Sequence, residues 1–288
     1  MAVWFVMFGL EALVIVTGNA LVIAALTLSR LHRKRRYYLI ANLAIADLMV
    51  GMVTLPLYIY HIIQNQNTGV RTAFILFDIM FGVESLLGLL TLALERLYAI
   101  CWPMNHRTVK RNHLLLIIVC TWMISAVTGF TTLLNPSQNV FFFYILPLLT
   151  TIHVIICISY STIWWKVRST PVIGEHAQEQ RVRHERTLAK TLFIVTVLSI
   201  LAWLPAEILN IILPFCLPCQ RTLTQFAYLA KFLQFGNSFI NPIVYVLRIP
   251  EFRKSTRRLF SRYSVRRKYS SRRSSKMIKT PTLIVTMK

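Results

Sequence analysis

Long apolar stretches alternate with short polar segments along this chain as far as about residue 247. Each stretch is long enough to cross a hydrocarbon core of about 30 Å as a helix. The stretches lie near residues 2–28, 37–63, 72–102, 113–134, 140–165, 187–214 and 222–247. Backbone polar groups in hydrocarbon must bond within their own segment, so each stretch is predicted to be an α-helix. The pattern therefore predicts an all-α membrane protein with a seven-transmembrane helix bundle, whose helices are called spans 1 to 7.

Composition supports a bilayer as the solvent, and the distribution of charge predicts the orientation. Of 288 residues, 56% are hydrophobic and 15% charged, which is too apolar for an ordinary soluble domain. Most of the 32 Lys and Arg residues lie after spans 1, 3 and 5 and in the tail, whereas the alternate gaps carry only Arg71 and Arg221. The positive-inside rule then predicts a multi-pass plasma-membrane protein with an extracellular N-terminus and a cytoplasmic C-terminus. This segregation argues against a nucleic-acid partner.

The two ends of the chain are expected to behave differently. The first stretch has no basic n-region or small-residue cleavage site, so an anchoring helix is predicted rather than a cleaved signal peptide. We divide the chain into a bundle over residues 1–249, an amphipathic cytoplasmic helix over 250–263 and a disordered basic tail over 264–288. The amphipathic helix would lie on the inner leaflet with its cations facing anionic lipid. Serines in the tail are candidate phosphorylation acceptors, although a merely solvated tail fits the composition equally well.

Six of the ten acidic residues lie inside predicted spans, where a charge is costly and usually marks a functional site. Glu95 lies near the end of span 3, and the other five are Glu11, Asp47, Asp78, Glu84 and Glu207. Receptors, transporters and channels all carry such residues, so the charges alone do not choose between these classes. A transporter is expected to have an inverted internal repeat, and an enzyme needs a nucleophile–base pair or a metal motif. Neither is found in the sequence, so enzymatic activity is not predicted and a transporter or channel is kept as the alternative class.

A series of short motifs favours the receptor class. The motifs are Gly18-Asn19 in span 1, Asn42–Asp47 in span 2, Glu95-Arg96-Leu97 in span 3, Trp122 in span 4, Ala202–Pro205 in span 6 and Asn241–Tyr245 in span 7. In this order they resemble the landmarks of the rhodopsin-like (class A) G-protein-coupled receptors. The resemblance covers residues 9–260. It implies an extracellular ligand and a heterotrimeric G protein as partners, with arrestin and receptor kinases acting through the tail.

The resemblance assigns coupling and switching to one set of residues. The set is Glu95, Arg96, Glu185, Pro205, Asn241, Pro242 and Tyr245. Arg96, held by the two glutamates, is expected to bridge spans 3 and 6 in the resting state. The two prolines each remove a helical hydrogen bond and permit a kink. Agonist binding would let span 6 swing outward, release Arg96 and turn Tyr245 inward.

A second set of residues looks like the family's sodium pocket. It comprises Asp47, Ser85, Asn237, Ser238 and Asn241. An anionic Asp47 at mid-membrane needs a cation or must remain protonated, and oxygen ligands suit a hard cation. We expect sodium as an allosteric ligand and no other cofactor. A polar network without an ion is the alternative.

The candidate ligand site is the outward-facing cavity. Its predicted lining is Asp78, Trp203, Glu207, Lys231, Phe232 and Phe235. Asp78 lies eighteen residues before Arg96, about five helical turns higher on the same face, where receptors for amines carry their ammonium-binding Asp. Two features oppose a small amine. The ammonium of Lys231 could itself neutralise Asp78 or Glu207, and Phe235 stands where amine receptors usually have a Tyr.

Cysteine usage leaves the subfamily open. Arg71 stands where the family has a Cys at the outer end of span 3, and the loop 135–139 has no Cys, so the usual bridge cannot form. A missing bridge and a short second outer loop look like the melanocortin receptors and their adenosine, lipid and cannabinoid relatives. A peptide, nucleoside or lipid ligand is therefore the alternative to an amine. Cys216 and Cys219 lie in a predicted outer loop, where oxidising surroundings permit a local disulfide.

Overall fold

A computed structural model describes the chain over seven ranges: residues 2–28, 36–64, 67–135, 137–169, 176–216, 223–248 and 252–257. All regular secondary structure in these ranges is helical. Spans 1, 3, 4, 6 and 7 are single helices over Ala2–Leu28, Thr68–Cys101, Arg111–Leu134, His176–Ile212 and Thr224–Arg248. Span 2 comprises three consecutive segments, Arg36–Met49, Val50–Thr54 and Leu55–Ile63. Span 5 likewise comprises Gln138–Val140, Phe141–Ile145 and Leu146–Ser169. A short helix, Pro103–Thr108, follows span 3. The predicted all-α fold is confirmed.

Length and hydropathy support membrane crossing for spans 1 to 5, which are the helices long and apolar enough among the described residues. Span 6 has a shorter apolar part, Thr196–Ile212, because its first turns carry many charged residues. A helix of its length exceeds the hydrocarbon thickness. Span 7 is less apolar than spans 1 to 5 because it carries buried polar residues such as Asn237 and Asn241. Those side chains face the bundle, so the mean hydropathy understates how apolar the outer surface is.

Polar side chains are buried in the bundle and large apolar side chains cover its outside. Asp47 and Glu84 are fully buried. Leu13, Val127 and Ile158, in spans 1, 4 and 5, are exposed. A hydrocarbon solvent dictates this arrangement, since it solvates leucine but offers a carboxylate no hydrogen bond.

Two landmark motifs hold spans 1 and 7 together. Pro242 has no N–H, so the carbonyl of Ser238, four residues earlier, loses its helical donor. The Nδ2 of Asn19 donates to that carbonyl at 3.0 Å. A Cβ on Gly18 would lie 3.3 Å from the ring of Pro242, so the glycine permits the close approach that this bond requires. The Gly18-Asn19 motif thus compensates for the proline of span 7.

Spans 2 and 5 are each interrupted by a π-helical segment, Val50–Thr54 and Phe141–Ile145. A proline lies shortly after each segment, Pro56 and Pro147. A π-helical segment adds a residue to the turn and rotates the later turns of the helix relative to the earlier ones. These segments therefore decide which side chains of the outer halves of spans 2 and 5 face the cavity.

Residues 252–257, after span 7, form a helical turn that docks beneath the bundle. Phe252 is fully buried, with its ring centroid 5.7 Å from that of Tyr37 and 5.9 Å from that of Tyr245. These residues lie within the amphipathic helix predicted over 250–263. The rest of that helix and the tail over 264–288 lie outside the described residues, so both stay predictions.

Candidate functional site

The predicted ligand site contains an ion pair between spans 3 and 7. The Nζ of Lys231 lies 2.7 Å from Oδ2 of Asp78, and the two side chains are 20% and 14% exposed. The ammonium also lies 5.5 Å from the ring centroid of Phe74 and 5.6 Å from that of Phe235, within range of cation–π attraction. Lys231 thus neutralises the carboxylate that an amine ligand would need, and such a ligand must displace it.

The aromatic residues predicted to line the ligand site lie in two different parts of the bundle. Trp203 is buried beneath the ion pair, and a Cβ on Gly82 would lie 2.9 Å from the Cη2 of its ring, so only glycine leaves room for the indole there. Phe235 packs against Tyr58, with ring centroids 5.5 Å apart, and Phe232 packs against Phe8. The two phenylalanines therefore contact spans 1 and 2, while Trp203 remains at the floor of the cavity.

Glu207 faces span 5 rather than Lys231. Its Oε1 lies 3.8 Å from Nδ1 of His153, with side-chain exposures of 16% and 13%. Within the described part of the chain, Oε1 of Glu207 and Nε2 of His153 have no hydrogen-bond partner. His153 was not predicted as a site residue, although a histidine within an apolar span is itself a signal. The pair places unsatisfied polar atoms on spans 5 and 6, apart from the Asp78–Lys231 pair.

Most of the predicted sodium-pocket residues converge on Asp47, which is fully buried. Ser85 Oγ donates to its Oδ1 at 2.8 Å, Ser238 Oγ donates to Oδ1 at 2.9 Å, and Asn241 Nδ2 donates to Oδ2 at 2.6 Å. Asn237 is also buried, but its Oδ1 has no hydrogen-bond partner among the described residues. The network joins spans 2, 3 and 7 around one carboxylate.

A small cavity connects this network with the ligand site. Its lining includes Asp78, Gly82, Ser85, Trp203, Gln234 and Asn237, and its size is close to that of one water molecule. Three polar atoms of its lining have no partner among the described residues: Trp203 Nε1, Gln234 Oε1 and Asn237 Oδ1. Buried polar groups normally have partners, so these three atoms are available to bond to a water molecule or an ion in the cavity.

A third buried network surrounds Glu84 and ties spans 2, 3 and 4 together. Asn42 Nδ2 donates to Oε1 of Glu84 at 2.8 Å, and Ser125 Oγ lies 2.9 Å from Oε2. Thr121 Oγ1 lies 3.1 Å from Oε1. The Nε1 of Trp122 donates to Oδ1 of Asn42 at 2.9 Å. The sequence pattern marks Glu84 as an acid within a span but predicts no role for it, because the residues of this network lie on three different helices.

Replacing Glu84 with Leu is expected to destabilise the folded protein. Thr121 and Ser125 keep backbone carbonyl acceptors in span 4, but Nδ2 of Asn42 loses its acceptor inside the bundle. An orphaned buried donor costs about 1–3 kcal/mol. The measurement is the apparent Tm of the purified protein in detergent. Glu84→Gln, which retains a carbonyl oxygen for Asn42, is the control. If Gln destabilises the protein as much as Leu, the hydrogen-bond explanation is wrong.

At the inner end of span 3, Glu95 lies between two basic side chains. Arg96 Nε and Nη2 bind Oε2 of Glu95, and Nε2 of His106 lies 3.0 Å from Oε1. Arg96 is 4% exposed. The side chain of Glu185, the predicted partner on span 6, lies outside the described residues. His106, in the short helix after span 3, is a neighbour of Glu95 that was not predicted from the sequence.

Four of the five cysteines lie within the described residues. Cys101, Cys120 and Cys157, in spans 3 to 5, are free. Cys216 is disulfide-bonded. Its predicted partner, Cys219, lies outside the described residues, so the Cys216–Cys219 bridge stays a proposal.

Comparison with known proteins identifies the family. Residues 18–142 and 130–245 match the family described as 7 transmembrane receptor (rhodopsin family). The chain is 28% identical to the adenosine receptor A2a of Canis lupus familiaris and 27% identical to that of Cavia porcellus. Each alignment covers 89% of this chain and 72% of the relative. The matched residues include the Asp47 network, the Asp78–Lys231 pair and Arg96, and receptors of this family are not enzymes. The chain belongs to the rhodopsin family of seven-transmembrane receptors, the class A G-protein-coupled receptors.

Proposed function

We propose that this chain is an agonist-gated receptor of the plasma membrane, with an extracellular N-terminus, that promotes nucleotide exchange on a heterotrimeric G protein. The observation that supports this best is Arg96, buried at the inner end of span 3 and paired with Glu95. A buried guanidinium is costly unless it is paired. Its release and re-pairing therefore provide a two-state element that ligand binding can bias. Prolines inside spans 6 and 7 provide the hinges.

The ligand class is proposed from the Asp78–Lys231 pair. A small amine would have to displace Lys231 and leave an ammonium without its counter-ion, which is unfavourable at a partly buried site. A neutral polar ligand leaves the pair intact and can bond to the unpartnered atoms of Glu207 and His153. The relatives at 28% and 27% identity are named as adenosine receptors. We therefore propose a nucleoside as the first ligand class, with amines, short peptides and lipids as the alternatives.

The test is nucleotide exchange on G proteins in membranes from cells that express this chain, with nucleosides, amines, short peptides and lipids applied separately. A nucleoside response that Glu207→Gln weakens and Lys190→Met leaves unchanged would support the proposal. Lys190 is an exposed lysine of span 6. An amine response that Asp78→Ala abolishes would establish an amine receptor instead. Surface expression without basal or stimulated exchange for any class would contradict the coupling proposal.

We further propose that the Asp47 network holds a sodium ion. The residues fit a hard cation because the available groups are oxygens: those of Asp47, Ser85 and Ser238, and the amide oxygens of Asn237 and Asn241. Both amide oxygens are buried without a partner among the described residues. The ion would supply positive charge to the Asp47 carboxylate. Asp47 would bind it, and the hydroxyl groups of Ser85 and Ser238 would orient the carboxylate.

Sodium is expected to stabilise the purified receptor, and Asp47→Asn is expected to abolish that effect. A ligand at ten times its Kd stabilises the folded state by about 1.4 kcal/mol. The measurement is the apparent Tm in NaCl compared with choline chloride at equal ionic strength. Glu84→Gln, at an acid that is also fully buried, should retain the sodium effect. An equal sodium effect in the Asp47→Asn protein would exclude this site.

A further inference from the structure

An apolar groove lies between the outer halves of spans 6 and 7, outside the ligand site and the Asp47 network. Leu204, Pro205 and Ile208 of span 6 form one wall, and Phe226, Leu229 and Leu233 of span 7 form the other. Its volume is about 380 Å³, and every residue of its lining is apolar. We call this feature the 6–7 groove.

The 6–7 groove opens to the bilayer and not to the inside of the bundle. Leu204, Ile208, Phe226 and Leu229 are all exposed large apolar residues. Trp203, next to Leu204 in the sequence, is buried and faces Gly82. Span 6 therefore presents one side of this turn to the ligand cavity and the other side to the groove. The groove is continuous with the lipid-facing surface of the receptor.

Small side chains at the base of the groove explain why the described part of the chain leaves this space between spans 6 and 7. Pro205 contributes a compact ring, and Ala230, which is buried, contributes a single methyl group. Facing helices normally fill such space with interdigitating side chains. An empty space would forfeit dispersion contacts along both walls, and water has no polar partner there. Hydrocarbon is the material that fits this environment.

We propose that the 6–7 groove is a binding site for one acyl chain of a membrane phospholipid. Its volume falls in the usual range of about 300–1,000 Å³ for small-molecule sites. A flexible chain can lie in a slot between two helices, and its glycerol end remains in the surrounding bilayer. The bound chain contacts Pro205. Any difference in the groove's affinity for the chain between the straight and bent forms of span 6 makes agonists and the lipid change each other's affinity. The site itself depends only on the membrane-spanning fold.

The experiment uses the full chain in nanodiscs of phosphatidylcholine that contain a fraction of phosphatidylcholine with a diazirine on its acyl chain. After irradiation, mass spectrometry locates the labelled residues as the fraction of probe is increased. If the groove is a specific site, the labelling of both its walls should saturate at a low fraction of probe. Labelling of exposed residues elsewhere, such as Val127 and Ile158, should rise in proportion to the probe. Groove labelling that also rises in proportion would overturn the proposal.

Variants that fill the groove provide a second readout. Leu229→Trp and Leu233→Trp each place an indole in it and are expected to lower the saturable labelling severalfold. Val127→Trp, at an exposed position of span 4, is the matched control and should leave that labelling unchanged. Unchanged labelling in both groove variants would overturn the proposal. Labelling of the groove by a diazirine sterol but not by the phospholipid probe would also overturn it. Absence of groove labelling by either probe would overturn it as well, because it would indicate that protein covers the groove.

Discussion

Replacing Lys231 with Met is expected to destabilise the folded receptor by about 2–4 kcal/mol, whereas adding Asp78→Asn to it restores most of the loss. The single change leaves the Asp78 carboxylate 14% exposed and without its counter-ion, and breaking one side of a buried pair is strongly unfavourable. The double change removes both charges and keeps two side chains of similar size. The measurement is the apparent Tm of the four proteins of this double-mutant cycle.

Lys190→Met is the matched control for that cycle, because it removes a lysine whose side chain is exposed on span 6. It should change the apparent Tm little, since single exposed charges contribute little to stability. Additive effects of Lys231→Met and Asp78→Asn would mean that the two side chains do not interact energetically. That result would contradict the ion pair as an energetic feature, even though the atoms lie within 2.7 Å of each other.

The same variant separates the two ligand classes. In the Lys231→Met protein the Asp78 carboxylate is available to an ammonium group, so small amines should gain potency if the cavity admits them. A neutral nucleoside does not use that charge and should be affected much less. On the proposal of a nucleoside ligand, the ion pair selects against amines through the cost of leaving one charge unpaired.

The fold was predictable from the sequence because a bilayer imposes one requirement on every span. Apolar length and internal hydrogen bonding are both local properties, and the described helices match the predicted spans within a few residues at most ends. The landmark motifs were recognised from the family resemblance. The structure supplies the physical reason for two of them, since Asn19 donates to the carbonyl that Pro242 leaves without a helical donor.

The site was only partly predictable from the sequence. Which side chains pair with each other depends on how each helix is rotated about its own axis. The sequence left Lys231 with two possible acids, and the structure pairs it with Asp78 because Glu207 faces His153 on span 5. The π-helical segments of spans 2 and 5 change that rotation, and hydropathy contains no information about them. The Glu84 network was missed for the same reason, since its three partners come from spans 2 and 4.

Arg96→Ala is expected to remove most agonist-stimulated nucleotide exchange, whereas Glu95→Gln is expected to raise basal exchange. Arg96 is buried, and on the proposed mechanism its guanidinium makes contacts in the active state that alanine cannot replace. Glu95→Gln removes the negative charge that holds Arg96 in the resting state. A typical coupling free energy of about 1–3 kcal/mol corresponds to about a 5- to 150-fold shift between states. The measurement is nucleotide exchange with and without agonist, normalised to surface expression.

His106 provides the sharper test of how Arg96 is held. Its Nε2 lies 3.0 Å from Oε1 of Glu95, so it orients the carboxylate that binds Arg96 through the other oxygen. His106→Ala should therefore raise basal exchange, but less than Glu95→Gln does, and should add little in the double variant. His113→Ala, at an exposed histidine of span 4, should have no effect. Full additivity of His106→Ala and Glu95→Gln would mean that His106 acts independently of Glu95. His106, Glu95 and Arg96 would then not act as one coupled unit.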